Sequence, residues 1–303
     1  MMPEDKKVRF PLLSWQSFLW SALWLTLMAA ALASRPFLPV DETRYLAVAW
    51  EMWRSGDFLV PHLNGETYSH KPPLLFWLIN AGWAIFGVND WWPRLVAPLF
   101  GLGTLFMTAR LAGRLWPDRP DVARLAPFIV MGSLFFTIFT TLTMFDMILA
   151  FCTLVGLIGV VRAWRGGGWS GFALMGLGIG LGVLTKGPAI LLHILPVALL
   201  APLWGRHLAA GSQGWGRWYG GVFAAVVVSA AVVHVLSDTT ALEFAAYQFT
   251  RHGLSAEGAS EETARQGNVR RSGPPVSPVE YLLSGVESHT IDELLVPALM
   301  DLA

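Results

Sequence analysis

The sequence predicts an all-α, polytopic membrane protein of about seven transmembrane helices, with two juxtamembrane helices in the first outer loop. Three observations carry this. Hydrophobic residues make up 54% of the 303 and charged residues only 14%, for a mean hydropathy of +0.51, far from the balance of a soluble domain. The apolar residues fall into runs long enough to cross a bilayer as helices. Many of the 15 tryptophans, among them Trp15, Trp91, Trp92, Trp116, Trp164, Trp204, Trp215 and Trp218, lie near the ends of those runs, where indoles collect at headgroup level. A formal net charge of zero argues against a nucleic-acid partner, which needs a basic stripe to neutralise phosphates. The single cysteine, Cys152, lies in an apolar run; it leaves no disulfide framework and no cysteine metal site, and reads as a packed side chain.

The first run covers residues 15–33. Lys6, Lys7 and Arg9 precede it as in a secretory signal, but the run is longer than a usual signal core and closes on Arg35-Pro36 with more spans following. It is read as an uncleaved first helix. Further spans are expected at residues 92–112, 123–143, 145–163, 171–185, 188–204 and 218–236. The fifth is short and glycine-rich. Its pairs Gly176/Gly180 and Gly178/Gly182 repeat at a spacing that lets helices approach closely, so they read as packing positions rather than a phosphate-cradling loop.

Orientation follows from the basic residues. Lys6, Lys7 and Arg9, then Arg110, Arg114, Arg119 and Arg124, then Arg162 and Arg165, then Arg206 and Arg217 all fall on one side if the spans alternate, and that side is cytoplasmic by the positive-inside rule. The alternation requires that residues 73–87, about fifteen in number, lie in the interface rather than cross it. Residues 42–87 then form one extracytoplasmic loop. Its first helix, residues 42–54, sets Tyr45, Val48, Ala49, Met52 and Trp53 at helical spacing with Arg44, Glu51 and Arg54 on the polar side. Ser55-Gly56-Asp57 ends it, Asn64-Gly65 signals a turn, and Lys71-Pro72-Pro73 starts the second helix. The transmembrane module is thus expected over residues 1–237. Residues 238–303 read as a polar extracytoplasmic tail, as expected of a truncated or frame-shifted remainder, with apolar clusters such as Tyr281-Leu282-Leu283 near its end.

Charge left at a membrane surface needs water, a partner or a bundle interior. On the outer face stand Asp41, Glu42, Arg44, Tyr45, Tyr68, His70, Lys71, Asp146 and Lys186. Asp41 and Glu42 could be a solvated interfacial cap, and Asp146 could cap a helix N-terminus. As a functional set, a carboxylate can orient or deprotonate an acceptor, or hold a divalent cation with a second carboxylate. A lysine or arginine beside it can bind a phosphate leaving group. Such a set suits group transfer from a lipid-linked phosphate, with transport and structural roles as the competing classes. His193 and His234 lie singly in apolar runs and read as packing residues.

The ordered string is more specific. Asp41-Glu42-Thr43-Arg44-Tyr45, Ser55-Gly56-Asp57, Val60-Pro61 with Leu63-Asn64-Gly65-Glu66, Tyr68 with Lys71-Pro72-Pro73-Leu74, and Phe86-Gly87-Val88-Asn89 with Arg94-Leu95 resemble the first outer loop of the bacterial aminoarabinose transferases, within the dolichyl-phosphate-mannose protein mannosyltransferase superfamily. Thr143-Met144-Phe145-Asp146 and Leu184-Thr185-Lys186-Gly187-Pro188 also resemble family segments, and the likeness runs over about residues 15–236.

This resemblance implies the C-type glycosyltransferase fold and an enzyme of the bacterial inner membrane, working on its periplasmic face. It would move a hexosyl or pentosyl group from a polyprenyl-phosphate carrier, not a sugar nucleotide, to a lipid A-like or other lipid or glycan acceptor. Asp41 matches the acidic catalytic position, with Glu42 beside it. Lys71 and Tyr45 match positions that contact the donor phosphate or the acceptor, Tyr68 lines the same cavity, Arg44 and Lys186 join them as substrate-binding candidates, and Asp41 with Asp146 could hold a divalent cation. The chain departs from the family at His70, where aminoarabinose transferases commonly have an acidic residue, and beyond residue 237, where only Glu243, Phe244, Gln248 and Arg251 resemble the family's next segment. Two alternatives stay open: an inactive remnant or membrane scaffold that keeps the fold, and a small-solute transporter, for which the paired repeats with broken helices are missing.

Overall fold

The computed structural model describes residues 15–38, 40–68, 70–205 and 214–237. The expected tail, residues 238–303, lies outside the described residues. The first apolar run forms α1 (Trp15–Ser34). After it come α2 (Asp41–Ser55), a hairpin of β1 (His62–Leu63) and β2 (Glu66–Thr67), α3 (Leu74–Phe86) and α4 (Trp91–Leu115). Then follow α5 (Pro120–Met131), α6 (Leu134–Thr141), α7 (Asp146–Arg162), a π-helical turn (Ala163–Gly167), α8 (Trp169–Lys186), α9 (Ala189–Leu199), α10 (Ala201–Trp204) and α11 (Trp215–Ser237).

Among the described residues five helices, α1, α4, α7, α8 and α11, are long and apolar enough to cross a membrane. Two of the expected spans are not single straight helices. The one expected at residues 123–143 breaks where Ser133 turns extended (φ −75°, ψ 126°), which interrupts the i to i−4 hydrogen-bond ladder; α6 leaves α5 at 66°. The one expected at residues 188–204 is the 11-residue α9 followed by the four-residue α10. Residues 73–87 hold only the 13-residue α3, about 20 Å of helix and short of a 30 Å hydrocarbon core.

The outer loop is fixed by local chemistry. Gly56 takes φ +72° and its N–H returns to the Met52 carbonyl at 3.0 Å, closing α2 with a left-handed residue. Asn64 (φ +58°) and Gly65 (φ +78°) make the hairpin turn, in which both central residues have positive φ. The Glu51 carboxylate accepts from the backbone N–H groups of both and so ties the hairpin to α2. Tyr45, Val48, Ala49 and Met52 form the buried stripe of α2, with Glu42 in the same register. They pack on Leu75, Phe76, Ile79 and Trp83 of α3.

Helix α8 lies between α7 and α11, and its glycines divide between the two. A Cβ on Gly178 would meet the Gly156 backbone nitrogen of α7 at 2.6 Å, while one on Gly176 would meet the Ala225 carbonyl oxygen of α11 at 2.5 Å. Such close backbone approach is what small residues permit in a membrane bundle. A second core joins α1, α4 and α6 through Trp20, Trp24, Met28, Ala97, Leu105 and Phe136. At the far ends of α4 and α7 the arginines gather as the charge rule expects, with Arg110, Arg162 and Arg165 close enough to Arg114 to repel it.

Candidate active site

Helix geometry separates the two acidic neighbours. Successive residues point about 100° apart, so Asp41 and Glu42 at the start of α2 face different surroundings. Glu42 turns inward and is fully buried. Its carboxylate accepts from the Arg35 guanidinium at 2.6 Å and 3.2 Å, from the Leu38 N–H at 2.6 Å and from the Thr143 N–H at 2.6 Å. Burial raises the pKa of such a group, but the Arg35, Thr143 and Leu38 hydrogen bonds outweigh it and hold Glu42 below its ordinary value. Arg35 also donates to the Thr141 carbonyl, and Arg94 of α4 donates to the Arg35 carbonyl at 3.1 Å while lying 4.1 Å over the Phe37 ring. One buried knot therefore ties α1, α2, α4 and the segment between α6 and α7.

Asp41 turns toward a second group of residues. It lies within electrostatic reach of Tyr45, Tyr68 and Lys71, as does Arg44. Asp146, at the start of α7, and Lys186, at the end of α8, form an ion pair at 2.7 Å, and both act on Lys71. The fold thus brings together Asp41, Arg44, Tyr45, Tyr68, Lys71, Asp146 and Lys186 from α2, the hairpin loop, α7 and α8.

An aromatic wall backs this group. Tyr45 meets Phe145 edge-on with centroids 5.0 Å apart, Phe76 lies 5.7 Å from Phe145, and Tyr68 lies 6.0 Å from Phe76. Burial raises the pKa of both tyrosines, so they remain neutral hydroxyl donors. The buried Tyr68 hydroxyl approaches Arg44 without forming a well-aligned bond. Lys71 is half-buried and forms no ion pair among the described residues. Burial, and after it the nearby Lys186, lowers its pKa, with Asp146 and Asp41 opposing.

The divalent cation expected between Asp41 and Asp146 finds no fitting donor set. Asp146 is already paired with Lys186, Glu42 is consumed by the knot, and no three His, Cys, Asp or Glu side chains among the described residues stand close enough to hold a metal. The sequence reading also missed Arg35, Arg94 and the backbone of Thr143. A signal was present: Glu42 falls on the spacing of the apolar stripe at 45, 49 and 52, so a buried partner was required.

Residues 70–234 match the family described as dolichyl-phosphate-mannose-protein mannosyltransferase. An undecaprenyl phosphate-alpha-4-amino-4-deoxy-L-arabinose arabinosyl transferase of Pseudomonas savastanoi pv. phaseolicola is 33% identical over 184 residues, covering 55% of this chain and 32% of its own length. One from Enterobacter sp. is 31% identical over 180 residues, covering 56% and 32%. The chain thus spans about a third of the length of the curated relatives it matches. In fold it is similar to the crystal structure of ArnT from Cupriavidus metallidurans bound to undecaprenyl phosphate. The TM-score is 0.59 at 24% identity, over 79% of this chain and 44% of that one.

Proposed function

Since this multi-pass membrane protein belongs to the dolichyl-phosphate-mannose-protein mannosyltransferase family, we propose that it is a glycosyltransferase of the bacterial inner membrane, working on the periplasmic face. It takes a sugar from a polyprenyl-phosphate carrier to a lipid A-like or other acceptor. The observation that carries the reading is Lys71. A half-buried cation without an ion-pair partner among the described residues, within electrostatic reach of the Asp146 and Asp41 carboxylates, suits an anionic group that arrives with the substrate. The names of the relatives, which specify an undecaprenyl phosphate-linked aminoarabinose donor, support the same class of ligand.

In this reading the acceptor oxygen attacks the anomeric carbon, the bond from that carbon to the phosphate oxygen breaks, and the polyprenyl phosphate leaves with the electron pair. Inversion follows from the single in-line displacement. Asp41 orients the acceptor and receives its proton where that acceptor is a hydroxyl. Lys71 and Arg44 neutralise charge growing on the phosphate, and the Tyr45 and Tyr68 hydroxyls donate to its oxygens. The Asp146–Lys186 pair fixes the ends of α7 and α8 beside it. Glu42, with its carboxylate engaged in the knot, serves by holding the start of α2 rather than by reacting.

The test is transfer itself. Purified chain in lipid nanodiscs is given a radiolabelled polyprenyl-phosphate pentose and a bacterial lipid extract. Label should move into the lipid A fraction or another lipid. The absence of both transfer and saturable donor binding would sink the proposal.

A further inference from the structure

At the membrane face opposite Asp41 the charges obey a different pattern. Arg110 and Arg114 end α4, and Arg162 and Arg165 end α7 and the π-helical turn after it. Arg110, Arg162 and Arg165 are exposed and surround Arg114, which is half-buried. Every described charge that acts appreciably on Arg114 is positive. One of its terminal nitrogens is buried without a hydrogen-bond partner. A guanidinium nitrogen is a donor only, so what is missing is an acceptor.

The helix dipoles alone favour cations at two helix C-termini, but they supply no hydrogen-bond acceptor to a buried guanidinium nitrogen. The depth of the cluster says where an acceptor comes from. Trp116 follows α4 directly and is 51% exposed, and Trp169 opens α8 and is 62% exposed. Indoles exposed at helix ends mark the headgroup level, and a guanidinium fork at that level matches a phosphate. We infer that the arginines at the ends of α4 and α7 form a binding site for an anionic phospholipid headgroup, and that four positive charges favour a lipid carrying two phosphates over a lipid carrying one. The site stands apart from the proposed reaction and does not depend on it.

The experiment titrates the purified 303-residue chain, in an uncharged detergent, against fluorophore-labelled cardiolipin and labelled phosphatidylcholine, read by anisotropy. Cardiolipin should bind saturably and more tightly than phosphatidylcholine, and added salt should weaken it. Each basic residue near a charged lipid surface contributes roughly a factor of five. The double variant R110Q/R165Q, both positions exposed, should therefore lose about thirtyfold, while R54Q on the other face should lose nothing. Equal binding of the two lipids would overturn the inference, as would an unchanged affinity in R110Q/R165Q with a parent-like melting temperature. Displacement of the cardiolipin by millimolar inorganic phosphate would also overturn it, marking a site for a free anion. If the double variant melts early, the parent decides: cardiolipin affinity that ignores salt counts against the site.

Discussion

In the knot at the end of α1, the Glu42 carboxylate receives two hydrogen bonds from Arg35 and one each from the Leu38 and Thr143 N–H groups. One residue back along the same helix, the group around Asp41 includes Lys71 with no ion-pair partner among the described residues and a buried Tyr68 hydroxyl without a formed bond. Both regions bury charge at the same membrane surface. In the first the ionic groups are paired and the Glu42 carboxylate has nothing left for a substrate, although Arg35 Nε, Arg94 Nε and Thr143 Oγ1 are buried without a partner. In the second some are left over, and buried polar groups without partners are tolerated where a ligand completes them. The Glu42 carboxylate is saturated by donors of the protein itself, which is why we read it as structural and propose the chemistry at Asp41.

The comparison breaks most sharply at Asp41. Asp41→Asn keeps shape and removes charge, so transfer should fall by about 10² to 10⁴ while melting temperature and donor binding stay near the parent's. Turnover at the parent rate on the same purified sample would place the chemistry elsewhere. The mirror experiment is Glu42→Ala. Removing one partner of a buried pair leaves Arg35 uncompensated and should cost about 3 to 5 kcal/mol of stability, read as a lower melting temperature. If activity is lost while stability is untouched, Glu42 belongs with the reacting groups after all.

Two smaller effects sharpen the contrast. Lys71→Ala should weaken binding of the polyprenyl-phosphate donor by roughly 1 to 3 kcal/mol, the size of a hydrogen bond to a charged group, without lowering the melting temperature. Unchanged donor affinity would make the lysine an interfacial anchor. The last test is acid. Because the folded protein holds the Glu42 pKa below its ordinary 4.5, the unfolded chain takes up the proton first. The stabilising contribution is complete above that ordinary value and disappears as pH falls through the lower native one. The stability gap between the parent and Glu42→Gln should therefore be flat from neutral pH to about 5 and close under stronger acid. A gap that does not change down to pH 3 would mean the carboxylate charge contributes nothing.

The sequence by itself determined what depends on neighbours in the chain. Hydropathy and tryptophan placement gave the apolar helices. Helical spacing gave α2, and Gly56, Asn64-Gly65 and Lys71-Pro72-Pro73 gave the end of that helix, the hairpin turn and the start of α3, because backbone conformation at such residues is a local matter. From span alternation and charge asymmetry it also predicted one face for Asp41, Lys71, Asp146 and Lys186. Tertiary structure alone decided which of those charges meet. The Asp146–Lys186 pair spans 40 residues, and the Thr143 N–H reaches Glu42 across 101. No local pattern records such distances, because a carboxylate at a helix end has the same propensity whatever loop comes to rest against it. The break between α5 and α6 belongs to the same class: hydropathy reads residues 123–143 as one continuous run, and only the observed extended backbone at Ser133 interrupts it and sends α6 off at 66°. The sequence placed Asp41 and Glu42 side by side as one acidic pair, and the 100° turn between them set each in separate surroundings.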